Sequence, residues 1–394
     1  KRIAISLIVL LSVGVVALFI FLQMQKPSYS GEITLQGLNE EVEVLYDDFG
    51  VPHIYAKNEL DAYYALGYVH AQDRLFQMEM LRRAAGGRLS EILGKDLLKI
   101  DKLFRTLGLN EFAEKNAKQF LSSDTAAYQR EALAYQKGIN AFIKNGPTPL
   151  EFTIIGIPKT EFEPKDIYLA VGFMSFGFAE GLRVDPVLEK IRRQYGNEYL
   201  NDLAIETPMD AERIASFKGS PKNAGTDQLI TSINEALDLI PIPLWTGSNG
   251  WVVSADKSTS GFPILANDTH IGFGQPAVWY EAHIEYPGHS FYGHHIAGIP
   301  FGLLGNNKHG GWGLTMFEND ETDFFVEELN PENNNEVKFK AEWKSIQSRE
   351  EIIKVKGEKD VSLKIRTTPH GPIVNGIVEE VNDTDPIISL TWML

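Results

Sequence analysis

The chain has no cysteine among its 394 residues, which removes disulfides, thiolate metal sites and a cysteine nucleophile from consideration. It is also short of positive charge. The 37 Lys and Arg against 53 Asp and Glu leave a formal net charge of -16, which disfavours nucleic acid and anionic lipid surfaces as partners. No internal repeat of fixed period and no long low-complexity tract is present. What is present is ordinary globular composition, 43% hydrophobic and 23% charged, in a chain long enough for one large core or two domains.

The N-terminus departs from that average. Lys1-Arg2 precede Ile3 to Leu22, an uncharged stretch whose length matches a membrane span. A cleavable signal has a shorter apolar stretch of about 7 to 15 residues and a small-x-small cleavage site. Gln23-Met24-Gln25-Lys26-Pro27 offers no such site, so residues 1–26 read as an anchor in preference to a signal. Basic residues on the N-terminal side stay in the cytoplasm. The body of the protein is therefore expected outside it, tethered to the membrane, or secreted or periplasmic if the segment is cleaved. The chain starts without methionine and stops inside Ser389-Leu390-Thr391-Trp392-Met393-Leu394, a strand-like run, and reads as a fragment.

Alternation at Val42, Val44 and Tyr46, the turn residues Asp47-Asp48-Phe49-Gly50, and Val51 to Tyr55 predict a hairpin. Asn58 can cap the helix that follows, in which Leu60, Tyr63, Tyr64, Tyr68, Phe76, Met80 and Leu81 recur at helical spacing up to Gly86-Gly87. Further helices are expected near 111–144, 165–178 and 186–204, so residues 27–205 form a mainly helical region. Residues 206–247 read as a linker, broken by Pro208, Gly219-Ser220-Pro221, Asn223-Ala224-Gly225 and Ile240-Pro241-Ile242-Pro243. From residue 248 to 394 the period becomes two, with strands expected at 251–254, 263–266 and 278–286. The expected fold class is α+β.

The change of period falls at Gly247-Ser248. If the bond between them breaks, Ser248 gains an α-amine beside its own hydroxyl, with an unperturbed pKa of about 7.7 to 8.0, and the serine carries its own general base. Taken alone, the pair reads as a turn before a strand.

Two blocks resemble a known family. The first is Gly50-Val51-Pro52-His53-Ile54-Tyr55 with Leu66-Gly67-Tyr68-Val69-His70-Ala71-Gln72-Asp73-Arg74-Leu75-Phe76-Gln77-Met78-Glu79 and Gly87-Arg88-Leu89-Ser90-Glu91. The second is Gly247-Ser248-Asn249-x-Trp251 with Asn267-Asp268-Thr269-His270. The chain resembles, over about residues 32–394, the penicillin acylases and their cephalosporin and acyl-homoserine lactone relatives among the N-terminal-nucleophile hydrolases. The resemblance implies an αββα four-layer sandwich and a precursor that cuts itself between Gly247 and Ser248. It implies an α/β heterodimer from one polypeptide and a removed spacer, which the 206–247 linker would supply. The implied activity is hydrolysis of a side-chain amide of a penicillin-like or N-acyl small molecule through an acyl-serine intermediate.

Carried over residue by residue, the resemblance makes Ser248 the nucleophile and base. The backbone N–H of Met316 becomes one oxyanion donor, and His270 a residue that orients the nucleophile. The second oxyanion donor, an asparagine, is expected beyond residue 394, so the fragment alone is expected to be inactive. Asn249 and Trp251 read as structural. The resemblance also implies a structural calcium held by Asp320, the backbone carbonyl of Thr322 and Asp323, with Glu180; taken alone, Asp320-Glu321-Thr322-Asp323 reads as an acidic turn. Met174, Phe176, Ile271 and Leu304 are implied to line the acyl pocket, or they are ordinary core. Ile271 and Leu304 stand where penicillin G acylases carry aromatic residues, which leaves the acyl group open between aliphatic and phenylacetyl. His283, His289, His294 and His295 match no zinc spacing. Two rival functions remain at this point: an acyl-homoserine lactone acylase that quenches signalling, and a membrane-tethered binding protein without turnover.

Overall fold

The computed structural model describes residues 2–121, 125–179, 181–203, 245–316, 321–374, 377 and 387–392. Helices come first: α1 Arg2–Met24, α2 Glu59–Ala85, α3 Ser90–Leu93, α4 Leu98–Leu107, α5 Leu109–Phe120, α6 Ala127–Asn145, α7 Leu150–Ile155, α8 Pro164–Phe178, α9 Gly181–Tyr195 and α10 Asn197–Asp202. The hairpin β1 Glu43–Tyr46 and β2 Pro52–Tyr55 sits among them. Strands follow: β3 Trp245–Val253, β4 Ile264–Ile271, β5 Trp279–Tyr286, β6 His289–Ile296, β7 Leu304–Asn307, β8 Gly311–Trp312, β9 Thr322–Val326 and β10 Leu329–Asn330. They continue with β11 Asn333–Phe339, β12 Glu342–Ser345, β13 Gln347–Ile353, β14 Val361–Thr368, β15 Gly371–Pro372 and β16 Ile388–Trp392. The fold is α+β. The spacer expected over 206–247 lies outside the described residues except for its last three positions, Trp245 to Gly247, which open β3.

Two compact units make up the chain. The first comprises Lys1–Arg82, Phe112–Val171 and Thr246–Thr315. Its main sheet runs β1-β2-β5-β6-β7-β8, antiparallel except for the parallel pair β2–β5, while β3 and β4 pair separately as a two-stranded ribbon. Helix α2 begins where the sequence places it: the Asn58 carboxamide oxygen accepts the N–H of Asp61 at 2.9 Å, satisfying one of the orphan donors of the first turn. Residues 61–72 of α2 are buried without interruption. Three polar residues in that stretch are buried because their partners come with them. The Asp61 carboxylate accepts the N–H groups of Asn39 and Glu40 at 2.9 and 2.8 Å, His70 Nδ1 sits 2.9 Å from the Tyr135 hydroxyl, and Gln72 Nε2 reaches the Ser28 carbonyl and the Tyr46 hydroxyl. Further along, Arg82 donates to Glu79 and to Asp166 at 2.8 Å each, neutralising a charge that burial would otherwise penalise heavily.

The second unit comprises Arg83–Glu111, Gly172–Trp245 and Met316–Leu394. Its sheets are β10-β11-β12, β13-β14-β15 and the pair β16–β9. Ile353, Val355, Leu363 and Ile365 form a core cluster against Leu98 of α4. Asp101 accepts the N–H groups of Leu89 and Ser90 at 2.7 Å, closing the turn between α2 and α3.

Helix α1 is apolar and exposed, and its segment Ile5–Met24, with a mean hydropathy of 3.0, is long and apolar enough to cross a membrane.

Candidate active site

Gly247 and Ser248 do not form a turn before a strand: both lie inside β3. Pairing with β4 extends the strand upstream of the apolar run Trp251-Val252-Val253, a long-range effect that local periodicity does not carry. β4 brings Asn267, Asp268 and His270 to this ribbon. A Cβ added to Gly247 would lie 3.2 Å from His270 Nδ1, so the imidazole rests against the Gly247 side of the bond preceding Ser248. On the other side of the ring, Nε2 is 3.0 Å from Asp268 Oδ2 and 3.3 Å from Asn249 Nδ2. In a neutral imidazole one nitrogen donates and the other accepts. With Nε2–H given to the carboxylate, the nearer partner, Nδ1 is the accepting nitrogen of the ring.

Asn267 reaches across the ribbon and beyond it. Its Nδ2 donates to the Asn249 carbonyl at 2.8 Å and to the Leu314 carbonyl at 2.9 Å, while Oδ1 accepts the Leu314 N–H at 2.9 Å. Met316, the expected oxyanion donor, follows two residues later and opens the last stretch of the second unit.

The other expected site residues fall as follows. Ile271 ends β4 and Leu304 opens β7, both half-buried in the first unit. Met174 and Phe176 lie on the part of α8 that belongs to the second unit. Phe176 is buried edge-on against Phe104 at 4.9 Å and Trp392 at 6.0 Å between ring centroids, a core arrangement. Glu180 and Asp320 lie outside the described residues. Thr322 and Asp323 open β9, and the Thr322 hydroxyl is buried without a hydrogen-bond partner among the described residues. A Cβ on Gly181 would run into that hydroxyl and would lie 3.2 Å from Asp185 Oδ2, so the α9 carboxylate approaches the same spot. Asp185 was not readable as part of this group, because its approach depends on how α9 packs on β9.

A cavity of about 490 Å³ in the first unit is lined by Tyr29, Tyr46, Asp73, Arg74, Trp279 and Tyr280 among others. Burial raises the Asp73 carboxyl pKa, against the opposing pull of hydrogen bonds from Tyr29 at 2.7 Å and Tyr280 at 2.8 Å. Trp279 links this wall to β4 by donating to Thr269 Oγ1 at 3.0 Å. None of Met174, Phe176, Ile271 and Leu304 lines it.

A model of the penicillin amidase family matches residues 41–394. The chain belongs to that family. An acyl-homoserine lactone acylase, QuiP, of Pseudomonas aeruginosa is 30% identical over 370 residues, covering 90% of this chain and 42% of its own length. The penicillin acylase 2 proenzyme of a Pseudomonas species is 32% identical over 367 residues, covering 90% and 46%. A penicillin G acylase of Escherichia coli is 27% identical over 409 residues, covering 90% and 48%. The chain thus spans less than half the length of each of these relatives. A solved thermostable penicillin G acylase of Alcaligenes faecalis is 26% identical, with a TM-score of 0.36 over 45% of this chain and 98% of that one.

Proposed function

We propose that this chain carries the nucleophile of an exported amidohydrolase of the αββα N-terminal-nucleophile type, and that its first reaction is on itself. The observation that carries the reading is the β3–β4 ribbon, in which Gly247 and Ser248 are held extended with the His270 ring against Gly247. In the uncut chain Ser248 has no α-amine, so its hydroxyl proton needs another acceptor. His270 is the titratable ring on this peptide, oriented through Asp268. Attack of Ser248 Oγ on the Gly247 carbonyl breaks the C–N bond and forms an ester, with the proton passing to the departing nitrogen. Water then hydrolyses the ester, leaving a Gly247 carboxylate and a free Ser248 hydroxyl and amine. Gly247 presents no Cβ on the side facing His270.

In the mature enzyme the Ser248 amine takes over as base for attack on a linear amide, and the acyl-serine ester is hydrolysed by water. The Met316 N–H supplies one oxyanion donor, a contribution worth about 2.7 to 4 kcal/mol of barrier where such donors have been removed in other enzymes. An asparagine outside the present sequence supplies the second. Aliphatic Ile271 and Leu304 favour a straight-chain acyl group, and on that point an acyl-homoserine lactone is as good a substrate as a penicillin. Oxygen donors at Thr322, Asp323 and Asp185 are of the kind that holds calcium, a reading that also takes in Asp320 and Glu180, outside the described residues, and a bound ion there would brace β9. Helix α1 anchors the enzyme with its body outside the cytoplasm.

The test is intact-mass and N-terminal analysis of the full-length protein. A chain beginning at Ser248 is expected, and Ser248→Ala should leave the precursor whole. Finding only uncut wild-type protein, or cutting in the alanine variant, sinks the reading. A panel of phenylacetyl, phenoxyacetyl and long-chain acyl amides then separates the two substrate classes.

A further inference from the structure

We propose that Asn267 is a positioning residue for the chemistry at Ser248: its carboxamide sets the register between the strand that carries the serine and the segment leading into Met316. The inference rests on reading Ser248 as the nucleophile. Among the described residues β3 pairs with β4 and β8 pairs with β7, so no backbone ladder joins the Ser248 strand to residues 313–315. The Asn267 side chain makes that join. Its Oδ1 and Nδ2 meet the N–H and C=O of Leu314 at 2.9 Å each, as the peptide group of a neighbouring strand would, and the second N–H of Nδ2 holds the Asn249 carbonyl at 2.8 Å, one residue after the nucleophile. These partners fix which end of the amide is oxygen, because Leu314 N–H needs an acceptor and the two carbonyls need donors.

The surroundings are cut to fit the amide. A Cβ on Gly313 would lie 2.6 Å from Asn267 Oδ1 and 2.7 Å from its Cγ, so only glycine lets the chain come this close. On the next strand, a Cβ on Gly250 would touch Thr315 Cγ2 at 3.4 Å. No other side chain of this size offers one acceptor and two donors in one plane: aspartate lacks the donors, leucine lacks all three groups.

The experiment uses the full-length protein, with release of the Ser248 N-terminus timed after in vitro synthesis by intact mass and Tm measured alongside. At pH 8, Asn267→Asp and Asn267→Leu should each slow release by about tenfold or more, since displacement on the ångström scale is enough for such losses. Gly313→Ala should do the same while keeping all three hydrogen-bonding groups present. Between pH 8 and pH 5 the rate of Asn267→Asp relative to wild type should rise roughly threefold or more, because the protonated carboxylic acid donates again, whereas the Asn267→Leu ratio should stay flat. If the leucine variant does not fold, the aspartate ratio carries the test. Release at the wild-type rate per folded molecule in Asn267→Asp and Gly313→Ala, with only Tm lowered, assigns Asn267 a purely structural part and overturns the proposal. Wild-type protein that stays uncut overturns the nucleophile reading and this inference together; cut wild type with unaffected variants overturns this inference alone.

Discussion

Glu131, on α6, is part-buried near Glu59 at the start of α2, a like-charged neighbour that disfavours its ionised form. Burial first, then the hydrogen bond and charge of Glu59, push the Glu131 carboxyl up to about 7. In the unfolded chain it ionises near its ordinary value of about 4.3. The native state therefore holds a proton that the unfolded state has lost across that window. Stability from this group is complete below about pH 4.3 and is lost as pH rises through about 7. Glu131→Gln keeps the shape and a donor and carries no charge at any pH. Its Tm relative to wild type should climb as pH is raised from 4 to 7.5 at fixed ionic strength, and a constant difference across that range refutes the assignment. The sequence could not show this pair, since a carboxyl's neighbour in space is not its neighbour in the chain. The same holds for Asn267, visible in the sequence only as part of a motif, whose partners Asn249 and Leu314 come from separate segments. Asn58 was legible because a cap and its target lie three residues apart.

Where α2 crosses α6, each helix presents a glycine to the backbone of the other. A Cβ on Gly67 would overlap the Tyr135 carbonyl, and one on Gly138 would overlap the Tyr64 carbonyl. Neither position needs a left-handed backbone, so the only demand is space. Alanine gains about 1 kcal/mol over glycine in helix propensity. Overpacking costs typically about 1 to 3 kcal/mol and occasionally more, and an overlap this deep with a backbone oxygen belongs at the upper end, so the clash wins. Gly67→Ala and Gly138→Ala should each lower stability by roughly 2 kcal/mol or more in denaturant unfolding, and a neutral or stabilising result would show that the helices can separate freely. The apolar spacing of Leu60, Tyr63, Tyr64 and Tyr68 announced α2 as a helix, but not its burial on every side. That burial depends on partners supplied elsewhere, such as Tyr135 for His70 and Asn39 for Asp61. The parallel pairing of β2 with β5 was equally unreadable, because each strand's own pattern is silent about a mate more than two hundred residues away.

At the scale of the molecule, the order of helices first and strands second is plain in the sequence, and it suggests two halves meeting at Gly247-Ser248. The compact units do not follow that division: each draws segments from both sides of the bond. In the first unit, β2 before it pairs with β5 after it, and the Tyr280 hydroxyl donates to Asp73 at 2.8 Å. In the second, Arg105 of α4 meets Glu351 of β13 at 3.1 Å, and Lys356 N–H donates to the Ser90 carbonyl at 2.9 Å. The cut falls inside β3, but the pairings that join segments from before and after it within each unit lie elsewhere, so cleavage should change the chain count and leave the fold. The two products of the full-length protein should elute as one species in native size-exclusion chromatography, hold together on dilution to about 10 nM, and separate only in denaturant. Separate elution under native conditions would mean that the pairings across the bond within each unit do not survive the cut. A Ser248→Ala precursor provides the comparison: its far-ultraviolet spectrum should match that of the cleaved wild type, because the cut divides the short β3–β4 ribbon alone and leaves the six-stranded sheet and the sheets of the second unit intact.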